Sequence, residues 1–193
     1  IKLFSNGLNN NYFYEARITS QDSGLVYVTA TGYSLINEGG LTYSWKIFGR
    51  RSLNGGKTWE ILQELQGGYV FAAHPSITSY KNNILIAYSS RKPSTLQALY
   101  SNNQGVTFTD YVISNKANSQ TPLYSSVASD PYQIYVTWTG ERNDATYKRW
   151  NVFFDKSDYS LTWQTDRVIT GNTTGKIKFF ATNSLAANNF GSV

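Results

Sequence analysis

Apolar and polar residues alternate along nearly the whole chain, and β-branched and aromatic side chains dominate the alternating runs. Leu25 to Thr31, Ile84 to Tyr88, Gln133 to Trp138 and Trp150 to Phe154 are the clearest cases. A period of two sends successive side chains to opposite faces of an extended strand. Clusters of Asn, Gly, Ser and Asp between the runs are turn formers. No window of helical length joins a 3.6-residue apolar period to caps at both ends; Glu60 to Leu65 comes nearest and is too short. The pattern predicts an all-β chain.

Three segments repeat one signature: Ser52 to Trp59 (SLNGGKTW), Ser101 to Phe108 (SNNQGVTF) and Ser157 to Trp163 (SDYSLTW), starting 49 and 56 residues apart. A period near 50 residues belongs to the four-stranded blades of a β-propeller. Strands are expected near Tyr14 to Ser20, Leu25 to Thr31, Thr42 to Arg51 and Trp59 to Leu65 in the first repeat. The second repeat predicts Ser76 to Tyr80, Ile84 to Ser89, Gln97 to Ser101 and Phe108 to Ser114. The third predicts Ser125 to Ser129, Gln133 to Thr139, Lys148 to Lys156 and Trp163 to Ile169.

The chain therefore reads as one propeller segment of antiparallel blades at about 12–66, 70–114 and 121–170. Residues 1–11 and 171–193, with their IKLF and KIKFFA runs, read as parts of neighbouring blades. Six blades of ~50 residues need about 300. The 193 residues supply about three, so the expected ring is incomplete.

Composition narrows the chemistry. The absence of Cys excludes disulfides, thiolate metal sites and thiol nucleophiles, and a single histidine, His74, leaves little scope for a histidine metal cluster. Neither a metal nor a cofactor is expected. No Met is present and the sequence starts inside an apolar run, which suggests a processed N-terminus or a segment of a longer protein. No apolar stretch approaches the ~20 residues of a helical membrane span. The net charge of +5 is scattered, with groupings at Arg50, Arg51 and Lys57, at Arg91 and Lys92, and at Lys148 and Arg149. A nucleic-acid surface would gather such charge on one face among stacking aromatics, so no nucleic-acid partner is expected.

The repeated hairpin has a local logic. A Ser hydroxyl and an Asn or Asp side chain can hydrogen-bond turn backbone, glycine completes the tight geometry, and the closing aromatic begins the next strand. SLNGGKTW resembles the Asp-box, S-x-D-x-G-x-T-W, of the sialidase-like β-propellers. The acidic position is Asn54 and Asn103 in two copies and Asp158 in the third, where Ser160 or Leu161 stands in place of the glycine. The resemblance implies structural turns built by Ser52, Asn54, Gly56, Thr58 and Trp59, by Ser101, Asn103, Gly105, Thr107 and Phe108, and by Ser157, Thr162 and Trp163.

The first repeat carries the resemblance further. YEARIT, Tyr14 to Thr19, looks like the arginine-bearing inner-strand motif of sialidases, which implies that Arg17 holds a substrate carboxylate. A guanidinium suits this through two parallel hydrogen bonds. Departures from the family pattern count against catalysis. Thr19 replaces a proline, Tyr33 stands where a second arginine is often found, and the loop expected to supply an acid/base Asp reads Asn37, Glu38, Gly39, Gly40. Glu38 is the candidate catalytic carboxylate, and nothing further can be assigned.

Other polar residues have plainer expectations. His74, next to Pro75, reads as a turn residue, and Glu141 to Asp144 as a solvated hairpin. Asp22, Asp110, Asp130, Asp155 and Asp166 read as turn caps. Asn172 heads a sequon and is a candidate glycosylation site. Few charges and abundant Tyr, Asn, Ser and Thr suggest a secreted or cell-surface protein. The expected function is a structural or glycan-recognition scaffold, its partners glycans, an extracellular protein, or the rest of its own propeller. The alternatives are the N-terminal half of an exo-α-sialidase or related glycoside hydrolase, and a small propeller that associates with another copy of itself.

Overall fold

The computed structural model describes residues 12–37, 41–65, 71–91, 94–114, 120–144, 147–170 and 185–187. Among these, twelve strands form three four-stranded antiparallel sheets, each a meander in sequence order. The first holds β1 (Tyr12–Ser20), β2 (Val26–Asn37), β3 (Leu41–Ser52) and β4 (Gln63–Glu64). The second holds β5 (Ala72–Tyr80), β6 (Asn83–Arg91), β7 (Ser94–Ser101) and β8 (Thr109–Val112). The third holds β9 (Gln120–Ser129), β10 (Gln133–Asp144), β11 (Tyr147–Asp158) and β12 (Arg167–Val168). The described residues contain no helix long and apolar enough to cross a membrane.

The middle sheet is covered on both faces. Along β6, Ile84, Ile86 and Tyr88 join Leu25, Tyr27 and Ile47 in one core, while Leu85 and Ala87 join Ile134, Val136, Trp138 and Phe153 in the other. This explains the near-continuous apolar run NILIAY, since a strand packed on both sides has no solvent face to keep polar. Trp138 and Phe153 stack at 5.5 Å between ring centroids and are fully buried.

The inner strands of adjacent sheets meet through hydroxyls. Thr19 and Ser79 lie 2.8 Å apart, as do Thr78 and Ser129, and Ser76 lies 3.0 Å from Ser125. Small side chains let the inner strands converge where larger ones would hold them apart.

Several strand bounds differ from expectation. β5 begins at Ala72, so His74 lies inside a strand and not in a turn. Pro75 is tolerated there because it sits at a register shift on an edge strand. Glu141 to Asp144 are also strand, because the β10–β11 ladder continues without a break from Gln133↔Asp158 to Asp144↔Tyr147. The fourth strands are shorter than predicted. After Trp59, the Arg51 carbonyl accepts from the Glu60 N–H and the Arg50 Nε takes up the Glu60 carbonyl, and regular pairing with β3 is confined to Gln63 and Glu64.

Candidate functional site

Each inner strand is irregular, β1 and β5 at one place and β9 at two. The register shifts between Tyr14 and Arg17 in β1, between Ala73 and Ser76 in β5, and opposite both Thr137 to Thr139 and Thr139 to Glu141 in β9. At these bulges Glu15, His74 and Tyr124 take left-handed backbone conformations, with φ of 54°, 57° and 48°. For non-glycine residues such angles cost about 1–3 kcal/mol each and persist only where surrounding contacts fix them.

The contacts join the three residues. His74 Nδ1 lies 2.8 Å from Glu15 Oε1, the His74 backbone N–H donates to Oε2 at 3.2 Å, and Thr31 Oγ1 donates to the same oxygen at 3.4 Å. The other side of the imidazole meets the Tyr124 ring, with centroids 4.5 Å apart. Burial pushes the Glu15 carboxyl up, but the hydrogen bonds and charge of His74, with Arg17 adding, bring it below the ordinary value. The bulges thus hold a carboxylate, an imidazole and a phenol in one line across three sheets.

Two cavities flank this line and share His74. The first, about 150 Å³, is lined by Arg17, Ser76, Tyr124 and Ser125 among others. The second, about 270 Å³, lies between Tyr14, Trp45, Phe71, Ser89 and Arg91. Its aromatic wall extends outward: Trp45 stacks on Tyr33 at 5.9 Å, and Tyr33 stacks on Tyr12 at 4.9 Å. Tyr14 meets Trp45 edge to face at 5.3 Å, and the Arg91 guanidinium lies 5.4 Å from the centre of the Phe71 ring. Burial, with the Glu15 charge beside it, pushes the Tyr14 phenol well above its usual range.

The turn residues of the repeated hairpin are arranged alike in the first two copies. Ser52 Oγ accepts from the Gly56 N–H at 2.9 Å and donates to Asn54 Oδ1 at 2.9 Å. Asn54 Oδ1 also accepts from the Thr58 N–H, and Asn54 Nδ2 donates to Thr58 Oγ1. Ser101, Asn103, Gly105 and Thr107 repeat this set. In the third copy Ser157 Oγ donates to the Thr162 carbonyl, and Asp158 takes the Ser160 N–H instead. Leu161 there has φ 62°, in the left-handed region that Gly56 and Gly105 occupy at 84° and 81°. The closing aromatics Trp59 and Trp163 begin the chain toward β4 and β12, and Phe108 packs edge to face on Tyr27. These are turn-building arrangements, with no group placed to attack or protonate a substrate.

The remaining residues singled out by sequence are scattered. Arg17 is on β1, and its guanidinium donates to the Ala16 carbonyl at 3.1 Å. Glu38 and Asn172 lie outside the described residues. Tyr33 belongs to the aromatic wall. Asp130 does cap a turn, accepting from the Tyr132 and Gln133 N–H groups, whereas Asp155 is buried within β11 and Asp110 accepts from the Tyr88 hydroxyl. Glu15, His74 and Tyr124 are not recognisable in the sequence as a set, because they fall at different distances from their hairpins and share no residue type.

No protein-family model matches the sequence, and no curated protein does. Solved structures are similar in fold. Zg3597, a family 117 glycoside hydrolase produced by the marine bacterium Zobellia galactanivorans, superposes with a TM-score of 0.55 at 12% identity over 88% of this chain and 58% of its own. The catalytic domain of the Coprinopsis cinerea GH62 α-L-arabinofuranosidase gives 0.51 at 9% identity over 81% of this chain and 50% of its own. A further glycoside hydrolase gives 0.51 at 13% identity over 88% of this chain and 59% of its own. The chain thus spans between 50% and 59% of the length of these structures. It has the all-β, four-stranded blade architecture of propeller glycoside hydrolases.

Proposed function

We propose that this chain is a glycan-recognition segment of a glycoside-hydrolase-type propeller, secreted or displayed at a cell surface, with its ligand cleft at the three inner-strand bulges. The observation that carries this reading is the line Glu15–His74–Tyr124, held by three left-handed residues beside an aromatic-walled cavity. Backbone strain concentrated at one place is a mark of function, and aromatic rings beside polar groups suit the mixed C–H and hydroxyl surface of a sugar. Binding is a better reading than cleavage for the described residues. Ordinary glycoside hydrolysis uses two carboxyl groups roughly 5–10 Å apart that can reach the bond, whereas both oxygens of Glu15 are taken, one by the His74 ring and the other by the His74 backbone N–H and the Thr31 hydroxyl.

A glycan array probed with the 193-residue chain, followed by titration of the glycans retained, tests this. The expected result is saturable binding that weakens at least tenfold in Tyr124→Ala and Trp45→Ala variants whose melting curves still show a cooperative transition. Absence of binding by the folded chain refutes the reading.

A sialidase-like role of a longer protein is the second reading, supported by the hairpin turns and by the inner-strand position of Arg17. Hydrolysis of a fluorogenic sialoside by the full-length protein, lost in Arg17→Ala, would favour it.

A further inference from the structure

The first hairpin turn sets an asparagine directly before a glycine, Asn54–Gly55, and both are exposed. In such a dipeptide the glycine nitrogen can close on the asparagine side chain, since no Cβ on the following residue blocks its approach. The fold holds both reacting groups. The Gly55 N–H donates to the Gly24 carbonyl, in the turn between β1 and β2, at 2.8 Å. Asn54 Oδ1 accepts from Ser52 Oγ and from the Thr58 N–H, both at 2.9 Å, and Nδ2 donates to Thr58 Oγ1 at 2.7 Å. Around the glycine the space is open, and a Cβ there would meet nothing within 4 Å.

We infer that Asn54 is a covalent modification site of the folded protein, a deamidation site whose rate is set by the opening of the contact between these two turns. When the Gly24–Gly55 bond opens, solvent base takes the Gly55 amide proton, and the electron pair of the nitrogen forms a bond to Asn54 Cγ. The Cγ–Nδ2 bond breaks and that nitrogen leaves as ammonia, giving a five-membered succinimide. Water then adds to one of its two carbonyls and reopens the ring to an aspartyl or isoaspartyl residue. Nothing is oxidised or reduced. Local opening of an exposed turn costs far less than global unfolding, so the native chain reaches the reactive state.

The turn suits the aspartyl product. A carboxylate keeps both bonds that Asn54 Oδ1 accepts, and the Thr58 hydroxyl, which donates as readily as it accepts, can turn to replace the one that Nδ2 gave. The third copy already carries an acid at this place, Asp158, which accepts from the Ser160 N–H and hydroxyl. An isoaspartyl product instead puts an extra methylene into the main chain and displaces the Gly55 and Gly56 N–H groups from Gly24 and Ser52. The second hairpin is a control within the same molecule. Asn103 makes the same side-chain bonds, and the Gln104 N–H donates to the Asn82 carbonyl at 2.8 Å just as Gly55 does to Gly24, but the side chain of Gln104 crowds the attacking nitrogen. None of this depends on the glycan-binding reading.

Peptide mass mapping of the chain kept at pH 8 and 37 °C, folded and in guanidinium chloride, tests it. In denaturant Asn54 should gain one mass unit at least tenfold faster than Asn103. In the folded chain the same gain should accumulate at Asn54, at least tenfold more slowly than in denaturant. Thr58→Val, which removes the acceptor of Nδ2 and keeps the backbone N–H, should speed the folded reaction severalfold and leave the denatured one unchanged. Gln104→Gly, tolerated because Gln104 already has φ 58°, should bring Asn103 to the rate of Asn54 in denaturant and slow it at least tenfold in the fold. Equal rates at Asn54 with and without denaturant overturn the gating, as does a folded rate that Thr58→Val leaves unchanged or an Asn103 in Gln104→Gly that the fold does not protect. No mass change at Asn54 in the folded chain while the denatured chain reacts removes the site.

Discussion

The imidazole of His74 and the carboxylate of Glu15 meet at 2.8 Å across the junction of the first two sheets, each presented by a left-handed residue on its own inner strand. The same carboxylate also accepts the His74 backbone N–H, so the pair joins two blades and fixes one bulge against the other.

This pairing should appear in the acid limb of stability. The folded-state value of Glu15 is lowered, so its contribution is complete above the ordinary value of 4.5 and is lost as pH falls through the folded value. Glu15→Gln should cost about 1.5–3 kcal/mol at pH 7, the scale of a hydrogen bond to a charged group. It should also flatten the loss of stability below pH ~4.5. Urea denaturation of both proteins between pH 3 and 7 checks this. Parallel curves would sink it.

Asp155 predicts the opposite slope. Burial pushes its carboxyl up to about 7, with the Asp166 charge adding, against the Lys156 and Gln164 N–H groups and the Arg167 charge. One of its oxygens has no partner. A raised value means that its contribution is full below the ordinary 3.8 and is lost as pH rises through about 7. Asp155→Asn should therefore be more stable than the parent at pH 8 and nearly equal to it at pH 4. Melting temperatures at the two pH values decide.

Gly56 and Gly105 occupy matching turn positions with similar φ, yet their surroundings differ. A Cβ at Gly56 would meet Trp59 at an ordinary 3.5 Å, whereas one at Gly105 would come within 2.5 Å of the Tyr27 ring of the preceding sheet. Gly56→Ala should cost about 1 kcal/mol, from backbone strain. Gly105→Ala should cost at least about 2 kcal/mol more, because the buried ring must move. Equal losses in chemical denaturation would contradict this.

The hydroxyl pairs between inner strands make a fourth structural test. Thr78→Val removes one of the two partners of the Ser129 hydroxyl, the other being Tyr159, and should cost about 1 kcal/mol. Adding Ser129→Ala should recover part of that loss, since two apolar groups then face each other and the Tyr159 hydroxyl keeps its bond to the Asp130 carbonyl. A double variant as unstable as the sum of the single ones would show that the pair is not coupled.

Much of the fold is legible in the sequence because its signals are local. The alternation in ILIAY and QIYVTW and the spacing of Ser52, Asn54, Gly56 and Thr58 are properties of a few consecutive residues, and the hairpin bonds run between those same residues. The site is not legible in that way. His74 stands before a proline and reads as a turn, but it is held in β5 by Glu15, 59 residues earlier. Asp155 reads as a cap because its burial depends on the packing of β11 and not on its neighbours in sequence. Ser89 and Tyr14 share a cavity only because two blades lie face to face.

The seat of the second hairpin turn has a consequence for synthesis. Gly105 closes against Tyr27, and Arg51 donates to the Gln104 carbonyl at 3.1 Å, so the surface that receives this turn is made by the earlier blade. On a ribosome Tyr27 and Arg51 emerge first, and the nascent second blade meets its template already translated. Truncation is accordingly asymmetric: removing the first sheet strips Tyr27 and Arg51 from the second turn and leaves it only Asn82 and Ile84 of its own blade, whereas removing the third leaves the seat of that turn in place.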